Sequence, residues 1–450
     1  MRAAAIDAPD RKRWRVCANC QLAAEISSLT RYYDRLIQYA RLPNDDGLLF
    51  NLVSCPEKTA VAPGDALPDS RAAGRRDAVL LNGNFNHSSD IQGLLTTLRR
   101  SLGRGSRIVA ILYKPYYAWI YQLASRFGLR GPEAPTTFVT FTDLGNIARL
   151  SGFRVVRVRE AIYSPLRLLG LGSVLNKILP AVPLLRHLNF AAIVVLAPEI
   201  TPTEQPSISV LVPTRNERGN IEAALDGLRA VKDELPGLEV VFVEGHSHDG
   251  TWDEIQRLIP RYAADFKIAA FQQTGKGKGD AVRLGFSQAT GDVVTILDAD
   301  LTVPASALPR FYNAYRDGLG DFINGSRLVY GTESGAMRPL NRLGNVLFAK
   351  ALSSVLSVRL GDSLCGTKLF GRHDYARFTA WRRDFGDFDP FGDFEMLFPA
   401  AILGLGVVDL PIRYLARTYG ETNISRFRHG WMLLKMTAIG FFRVRLGVSR

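Results

Sequence analysis

The sequence predicts an α/β protein with two domains. Short apolar strands alternate with helical patterns in both halves of the chain, which is typical of parallel sheets covered by helices. A stretch containing Pro198, Pro202 and Pro206 separates the halves. The 450 residues and the 47% hydrophobic content suffice for two or three cores and exclude a disordered chain. The predicted segments are a domain at 1–198, a linker at 199–206, a domain at 207–428 and a basic amphipathic helix at 429–450.

The first domain shows regular elements in its later part. Residues 77–81, 107–112 and 153–158 are apolar runs of strand length, and residues 91–102 and 141–151 have the apolar spacing of helices. These elements alternate along the chain. We therefore expect a sheet with helices against it.

The beginning of the chain is less regular. We expect one amphipathic helix around residues 32–39 and a possible short strand at residues 48–54. The pair Cys17 and Cys20 has the spacing of half a zinc site, but no second pair follows at finger spacing. Four cysteines in the whole chain exclude a disulfide framework and favour a reducing compartment.

The second domain has a clearer pattern of buried strands and helices. Residues 207–213, 238–244 and 293–297 are apolar and short, whereas residues 220–231 and 252–263 have helical spacing. Strands of this kind, separated by helices, predict a mainly parallel sheet.

The net charge of +13 is unevenly distributed. Residues 1–200 carry 26 basic and 15 acidic side chains, residues 201–412 carry 22 and 27, and residues 413–450 carry 8 and 1. An acidic central block argues against a broad nucleic-acid groove, and no motif combines aromatic and basic residues. We expect no nucleic-acid partner.

Two carboxylates follow the strand at residues 293–297. Asp298 and Asp300 come directly after it with one residue between them, at the edge where α/β folds bind ligands. Hard oxygen ligands suit Mg²⁺ or Mn²⁺, which neutralise the charge of a diphosphate. The pattern predicts a metal site at Asp298 and Asp300.

Several motifs in the second domain occur in a characteristic order. They are VPTRNE at 212–217, VEGHSHDGT at 243–251, GKGKGDA at 275–281, the Asp298 and Asp300 pair, GSR at 325–327, DSLCGTKLF at 362–370, DFEML at 393–397 and RTYGETNI at 417–424. In this order they resemble the family 2 glycosyltransferases of the GT-A fold, and within them the dolichyl- or polyprenyl-phosphate sugar (mannosyl) synthases. The resemblance covers about residues 207–445.

The resemblance implies roles for individual residues. Asp298 and Asp300 would hold the metal and act in catalysis, and Asp393 or Glu395 would be the base if the acceptor were a hydroxyl. Two positions depart from the family pattern, since Gly245 and Thr302 stand where relatives carry an acid and a glutamine. The nucleotide-sugar ligands would be Pro213, Asn216, Glu217, Glu244, Ser247, Asp249, Lys278 and Asp298. The candidates for binding the acceptor phosphate are Arg327, Arg417, Arg426 and Arg428.

The implied activity is inverting transfer of a sugar from a nucleoside diphosphate sugar to a polyprenyl phosphate. A phosphate acceptor is largely ionised at neutral pH, because its second pKa is near ~6, and it needs no dedicated base. Two alternatives remain open: transfer to a hydroxyl in polysaccharide or glycolipid synthesis, and a membrane-associated scaffold without activity. A nucleotidylyltransferase is disfavoured because its glycine-rich signature near the first strand is absent.

The first domain resembles the later half of class I S-adenosylmethionine-dependent methyltransferases. Residues 77–81 and 105–112 are similar to the family's fourth and fifth strands, and residues 142–156 are similar to its later helix and Gly-Phe-x-Val-Val ending. The glycine-rich cofactor turn is missing from residues 1–76. We therefore expect a degenerate, truncated domain that binds no S-adenosylmethionine.

The C-terminal segment at residues 429–447 mixes apolar side chains with Lys435, Arg443 and Arg445. This composition is typical of a helix that lies on an anionic membrane. No signal peptide or bilayer-spanning stretch is expected. The predicted location is cytoplasmic and peripheral, at the inner face of the membrane that carries the acceptor.

Overall fold

The computed structural model describes residues 13–71, 73–127, 135–164, 171–182, 185–202, 204–330, 339–386, 392–417, 419 and 426–445. The chain divides into two compact units between residues 200 and 201, within the predicted linker. Residues 402–404 and the described residues from Arg443 onward group with unit 1, and the rest of the chain after residue 200 forms unit 2.

Unit 1 is built on a six-stranded sheet in the order β2-β1-β3-β4-β6-β5. The first four strands of this order are parallel, and β6 is antiparallel to both β4 and β5. The strands are β1 (Arg35–Tyr39), β2 (Glu57–Val61), β3 (Asp77–Asn82), β4 (Arg107–Tyr113), β5 (Phe153–Ile162) and β6 (Ala191–Pro198).

Helices flank the unit 1 sheet, and apolar cores form on both of its faces. One core packs Leu22, Ile26 and Leu29 against the sheet, and the other packs Leu95 and Leu144. The helices are α1 (Arg13–Thr30), α2 (Leu48–Leu52), α3 (Asn84–His87), α4 (Ile91–Arg99), α5 (Ala118–Arg126), α6 (Phe141–Leu150) and α7 (Leu171–Ile178).

Two predictions for the start of unit 1 are wrong. Residues 32–39 contain strand β1 rather than an amphipathic helix, because all five residues of Arg35–Tyr39 are buried between β2 and β3. Residues 48–54 contain helix α2 rather than a strand. Helical spacing in so short a segment is overridden when both of its faces are covered by the rest of the fold.

Unit 2 contains a seven-stranded sheet in the order β13-β11-β12-β10-β7-β8-β9. Neighbouring strands are parallel except at β12, which is antiparallel to both β10 and β11. The strands are β7 (Ile208–Thr214), β8 (Glu239–Glu244), β9 (Lys267–Gln272), β10 (Val293–Ile296), β11 (Phe322–Ser326), β12 (Lys368–Gly371) and β13 (Val407–Pro411). The predicted strands at 207–213, 238–244 and 293–297 are confirmed.

The helices of unit 2 include both predicted ones, at residues 220–231 and 252–263. They are α8 (Ile221–Ala230), α9 (Thr251–Tyr262), α10 (Lys278–Gln288), α11 (Leu308–Arg316), α12 (Pro339–Leu356), α13 (Arg372–Phe385), α14 (Phe394–Ile402) and α15 (Arg426–Gly440). Of the helices in the described ranges, none has both the length and the apolar character needed to cross a bilayer.

Strand direction determines which residues meet at one edge of the unit 2 sheet. The carboxyl ends of β7, β8, β10, β11 and β13 share that edge, because these strands run parallel. Strand β12 runs the other way, so its first residues, after Gly366, reach the same edge. The motifs that follow β7, β8, β10 and β11, and the one that precedes β12, are thereby brought together.

Candidate functional site

Asp298 and Asp300 lie at the carboxyl edge of the unit 2 sheet, and each faces a cation. Nζ of Lys278 lies 2.5 Å from Oδ1 of Asp298. Nη2 of Arg417 lies 2.5 Å from Oδ2 of Asp300. Two carboxylates and two cations therefore form a compact polar cluster at the end of β10.

Lys278 begins helix α10, directly after the turn that contains Gly277. Gly277 has a φ of 88°, which a residue with a Cβ rarely adopts. Burial alone would lower the pKa of Lys278, but the charges of Asp298 and Asp393 outweigh it and raise the pKa. Burial alone would raise the pKa of Asp298, but the charge of Lys278 lowers it. Both groups are charged at neutral pH.

Gly366 leaves space for this cluster. A Cβ at Gly366 would lie 2.2 Å from Oδ2 of Asp298 and 2.5 Å from Nζ of Lys278. No side chain fits there without moving the carboxylate or the ammonium. The glycine before β12 therefore sets how closely the backbone approaches Asp298.

Asp300 is held from a second direction by its own loop. The hydroxyl of Thr302 donates to Oδ1 of Asp300 at 2.9 Å, and the backbone N–H of Thr302 donates to the same oxygen at 3.2 Å. Arg417 also lies 3.8 Å from a carboxylate oxygen of Glu217. Burial raises the pKa of Glu217. Arg417 thus links the first motif of the domain to the carboxylates after β10.

The loops after β7 and β8 are joined by hydrogen bonds. The backbone N–H of Asn216 donates to Oγ of Ser247 at 2.9 Å, and the backbone N–H of His248 donates to the side chain of Asn216 at 2.9 Å. Asn216 has a φ of 55° and His246 a φ of 59°. Such left-handed backbone at non-glycine residues is concentrated at functional loops.

The remaining predicted nucleotide ligands are near these loops. Pro213 lies in β7 opposite Val243, and Glu244 accepts from the backbone N–H of Ser247 at 2.5 Å. Burial alone would raise the pKa of Asp249, but hydrogen bonds, the strongest from the Thr251 hydroxyl, lower it. The predicted ligands on β7, on β8 and in the loops after them therefore share one edge of the sheet.

Arg327 is engaged by a buried carboxylate. Its Nε and Nη2 donate to Asp362 at 2.7 and 3.0 Å, and Asn345 of α12 donates to the same carboxylate at 2.8 Å. The Arg327 guanidinium also lies over the ring of Tyr414, 5.2 Å from its centroid. Its role in phosphate binding stays a prediction. In the structure, Arg327 connects the end of β11 to α12 through Asp362.

Asp393 and Glu395 have different partners. Nζ of the fully buried Lys368 lies 2.7 Å from Oδ1 of Asp393. Glu395 faces Arg283 and Arg382, each at 3.2 Å. The charge of Asp393 helps to raise the pKa of Lys278, so Asp393 acts electrostatically on the site. Glu395 instead lines a small pocket between α10, α13 and α14.

Two predicted phosphate ligands lie at the start of α15. The side chains of Arg426 and Arg428 are outside the described residues. Most of the motif at 417–424 is also outside them, apart from Arg417 and Tyr419. Their assignment stays a prediction.

Sequence reasoning did not assign three residues that shape the site. Gly366 and Lys368 belong to the DSLCGTKLF motif, and so does Asp362, which binds Arg327. The motif itself was the available signal. Its contacts depend on the reversed direction of β12, which the sequence does not reveal.

The second unit matches a known family over part of its length. Residues 209–378 match the family model described as Glycosyl transferase family 2. This range contains Asp298, Asp300, Lys278 and Gly366 but not Arg417.

Curated relatives match about half of the chain. The low-salt glycan biosynthesis hexosyltransferase Agl6 of Haloferax volcanii is 31% identical over 228 residues, which cover 50% of this chain and 52% of that protein. The dolichol-phosphate mannosyltransferase of Pyrococcus furiosus is 29% identical over 242 residues, covering 51% and 64%. The dolichyl-phosphate hexose transferase of Haloferax volcanii is 29% identical over 223 residues, covering 50% and 89%. This chain therefore spans between half and two thirds of the first two relatives.

A solved structure also matches part of the chain. The mannosyltransferase PcManGT from Pyrobaculum calidifontis, in complex with GDP-Man and Mn²⁺, is 22% identical with a TM-score of 0.38, covering 56% of this chain and 67% of that one.

Proposed function

We propose that this protein transfers a sugar from a nucleoside diphosphate sugar to a polyprenyl phosphate and inverts the anomeric carbon. The observation that carries the proposal is the pair Asp298 and Asp300, which lies at the carboxyl edge of a parallel sheet and is faced by Lys278 and Arg417. The match to glycosyl transferase family 2 supports the reaction class. The names of two relatives, a dolichol-phosphate mannosyltransferase and a dolichyl-phosphate hexose transferase, support the acceptor.

The residues present fit a divalent cation. In the described part of the chain, no three His, Cys, Asp or Glu side chains form a metal cluster. Mg²⁺ commonly binds through one or two carboxylates and completes its shell with water and substrate phosphates. Asp298 and Asp300 supply two such carboxylates, and Gly366 places no side chain against Oδ2 of Asp298. When bound, Mg²⁺ or Mn²⁺ neutralises the diphosphate as it leaves.

The loops after β7 and β8 are the proposed site for the nucleoside. Asn216 and Ser247 hold each other in fixed positions, and Glu244 holds the turn that begins at Gly245. A preorganised loop binds a ligand without ordering itself at that moment. Lys278 is the proposed contact to the diphosphate, since an ammonium is a point charge that suits phosphate.

The chain's own residues position the acceptor and need not remove a proton from it. An ionised phosphate oxygen attacks the anomeric carbon while the bond from that carbon to the diphosphate breaks, so the configuration inverts. Arg417 is the proposed acceptor contact, because its planar fork matches a phosphate. Lys368 holds Asp393 in place, and we propose that the negative charge of Asp393 helps to position the Lys278 ammonium.

Two helices of unit 2 provide the proposed membrane face. Helices α12 and α15 pack against each other and expose apolar side chains without any acidic residue in either helix. The exposed residues are Leu340, Leu343 and Leu347 of α12 and Trp431 and Leu434 of α15. Asn345 links α12 to the Asp362–Arg327 pair, so this face is connected to the site. We propose peripheral binding at the cytoplasmic face of the membrane.

Unit 1 is proposed to be a degenerate methyltransferase-like domain without methyl transfer. The loop between strand β1 and helix α2, residues 40–47, contains one glycine, Gly47, at the N-cap of α2, and lacks the glycine-rich turn that lets a cofactor approach the backbone. Calorimetry with S-adenosylmethionine tests this proposal. Micromolar binding would overturn it.

The experiment for the main proposal is a transfer assay with purified full-length protein. The protein is incubated with Mg²⁺ or Mn²⁺, a panel of labelled nucleoside diphosphate sugars and a polyprenyl phosphate, in parallel with Asp300→Ala. Labelled lipid formed by the parent protein and lost in the variant is expected. No transfer from any donor, with both proteins indistinguishable, would refute the proposal. Transfer only to hydroxyl acceptors would show that the acceptor is a hydroxyl rather than a polyprenyl phosphate.

A further inference from the structure

Unit 1 carries an exposed apolar surface that the proposed transferase site does not explain. After β4 the chain forms a short 3₁₀ helix at Pro115–Tyr117 and then α5. Tyr116, Trp119, Leu123 and Phe127 project from this segment, with 75%, 63%, 47% and 69% of their areas exposed. Their spacing of three or four residues places them on one side of the helix.

A second segment continues the same surface. Residues 163–190 connect β5 to β6, and Tyr113 at the end of β4 pairs with Ala191 at the start of β6. The two segments therefore leave the sheet at the same edge. This second segment exposes Val174, Ile178, Leu185 and Leu188.

Hydrogen bonds fix the two segments to each other. Nζ of Lys114 donates to the carbonyl of His187 at 3.0 Å, and the hydroxyls of Tyr117 and Tyr121 donate to the carbonyls of Leu188 and Phe190 at 2.9 and 2.7 Å. The rings of Tyr117 and Phe190 lie 4.4 Å apart. The polar groups of these tyrosines thus point inward and hold the segments together. We call the eight exposed side chains of the two segments the unit 1 apolar surface.

The two stretches that contain this surface, residues 113–132 and 161–198, have no Asp or Glu in their sequence. Among their described side chains, Arg126 is exposed and Arg186 is half-buried, whereas Lys114 is buried and lies near Glu160 of β5. Residues 1–200 as a whole carry 26 basic and 15 acidic side chains. Interfaces between proteins do not require a lack of acidic residues, but an anionic lipid surface selects for it.

We infer that the unit 1 apolar surface binds an anionic lipid bilayer. Tyr and Trp side chains are favoured at the level of lipid headgroups, aliphatic side chains enter the acyl boundary, and basic residues bind the lipid phosphates. The unit 1 surface has all three components on a preformed scaffold. The inference rests on unit 1 alone and does not require the proposed transferase activity.

The test is vesicle flotation of the full-length protein. Vesicles of phosphatidylcholine alone are compared with vesicles that contain phosphatidylglycerol at about one lipid in four. The double variant Trp119→Ser/Leu123→Ser is compared with Leu150→Ser, which changes an exposed leucine of α6 in the same unit. All proteins also carry Trp431→Ser, which weakens the proposed unit 2 membrane face and so isolates the contribution of unit 1.

We expect the Leu150→Ser protein to float with anionic vesicles like its parent and to be released by salt. The double variant is expected to lose at least about tenfold in partition coefficient. Equal flotation of the two variants would overturn the inference. A change of oligomeric state in the double variant, measured by light scattering, with flotation unchanged would assign the surface to a second copy of the chain and would also overturn it.

A separate assay distinguishes this inference from the proposed function. Transfer to a short-chain polyprenyl phosphate in solution needs no vesicle, so we expect the double variant to keep the parent rate there. If that solution assay fails for every protein while flotation behaves as expected, the transferase proposal fails and the lipid surface stands.

Discussion

Nη2 of Arg417 lies 2.5 Å from Oδ2 of Asp300, although the two residues are 117 positions apart in the chain. Two residues before Asp300, Asp298 is bound in the same way by Lys278. Each carboxylate therefore has its own cation, and each cation comes from a different segment. A ligand that binds the carboxylates must take over these contacts.

Asp300→Asn is expected to weaken Mn²⁺ binding at least about tenfold and to lower sugar transfer about 100-fold or more, because an amide lacks the charge that holds the cation. Electron paramagnetic resonance of free Mn²⁺ measures the first effect without any turnover. Asp253→Asn on the exposed face of α9 is the matched control. Normal Mn²⁺ binding by the Asp300 variant would show that Asp300 is not a metal ligand.

Arg417→Gln is expected to raise the KM for the polyprenyl phosphate about tenfold or more, because a hydrogen bond from a cation to an anion contributes about 1.5–3 kcal/mol. Arg417→Lys should recover only part of the loss, since lysine has no planar fork. Steady-state kinetics with varied acceptor give the values. Arg413→Gln, at an exposed position nearby in the chain, should behave like the parent, and an unchanged KM in Arg417→Gln would contradict the assignment.

Gly366→Ala is expected to weaken nucleotide-sugar binding at least about tenfold while the protein remains folded, because the new Cβ would displace the Asp298 carboxylate or the Lys278 ammonium. Calorimetry with the donor measures binding, and circular dichroism measures folding. Gly145→Ala in α6 is the control, since a Cβ there meets no atom within 4 Å. If the two alanine variants bind the donor equally well, donor binding does not require a glycine at position 366.

Glu239 makes the free energy of unfolding of unit 2 depend on pH in the acid range. Burial alone would raise its pKa, but hydrogen bonds from Lys267, Ser209 and Thr290 outweigh it and lower the pKa to about 2. The native state therefore binds this proton less readily than the unfolded state, whose glutamate pKa is about 4.3. Stability from Glu239 is present above about pH 4.3 and is lost as the pH falls toward 2.

Urea denaturation at several pH values measures this dependence. Glu239→Gln is expected to be less stable than the parent at pH 7 and to lose less stability between about pH 5 and pH 3. Glu234→Gln, at an exposed position just before β8, should show the same change of unfolding free energy with pH as the parent. If Glu239→Gln also showed the same change, other carboxylates would account for the sensitivity to acid.

The sequence predicted the local features of the site well. The strand before Asp298 and Asp300 is visible as an apolar run, and strand β10 confirms it. The helix that begins with Lys278 follows a glycine-rich turn, which is also a local signal. Such features depend on neighbours in the chain, and residue patterns contain that information.

Partners that are distant in the chain could not be predicted in this way. Arg327 has the chemistry of a phosphate ligand, but its fork is occupied by Asp362, 35 residues away. Lys368 belongs to a motif visible in the sequence, yet its partner Asp393 depends on the packing of α14. Strand β1 was predicted as a helix because short apolar spacing is ambiguous until its neighbours are known.

Unit 1 combines residues that are synthesised early with residues that are synthesised much later. Residues 402–404 and those from Arg443 onward group with unit 1, although the other described residues between 201 and 442 form unit 2. A chain leaves the ribosome from its amino end, and early domains usually fold first. Here unit 1 cannot acquire all of its parts until residues 402–404 and 443–445 have been synthesised, which is after most of unit 2. A nascent chain stalled before residue 402 would therefore hold an incomplete unit 1 for chaperones to protect.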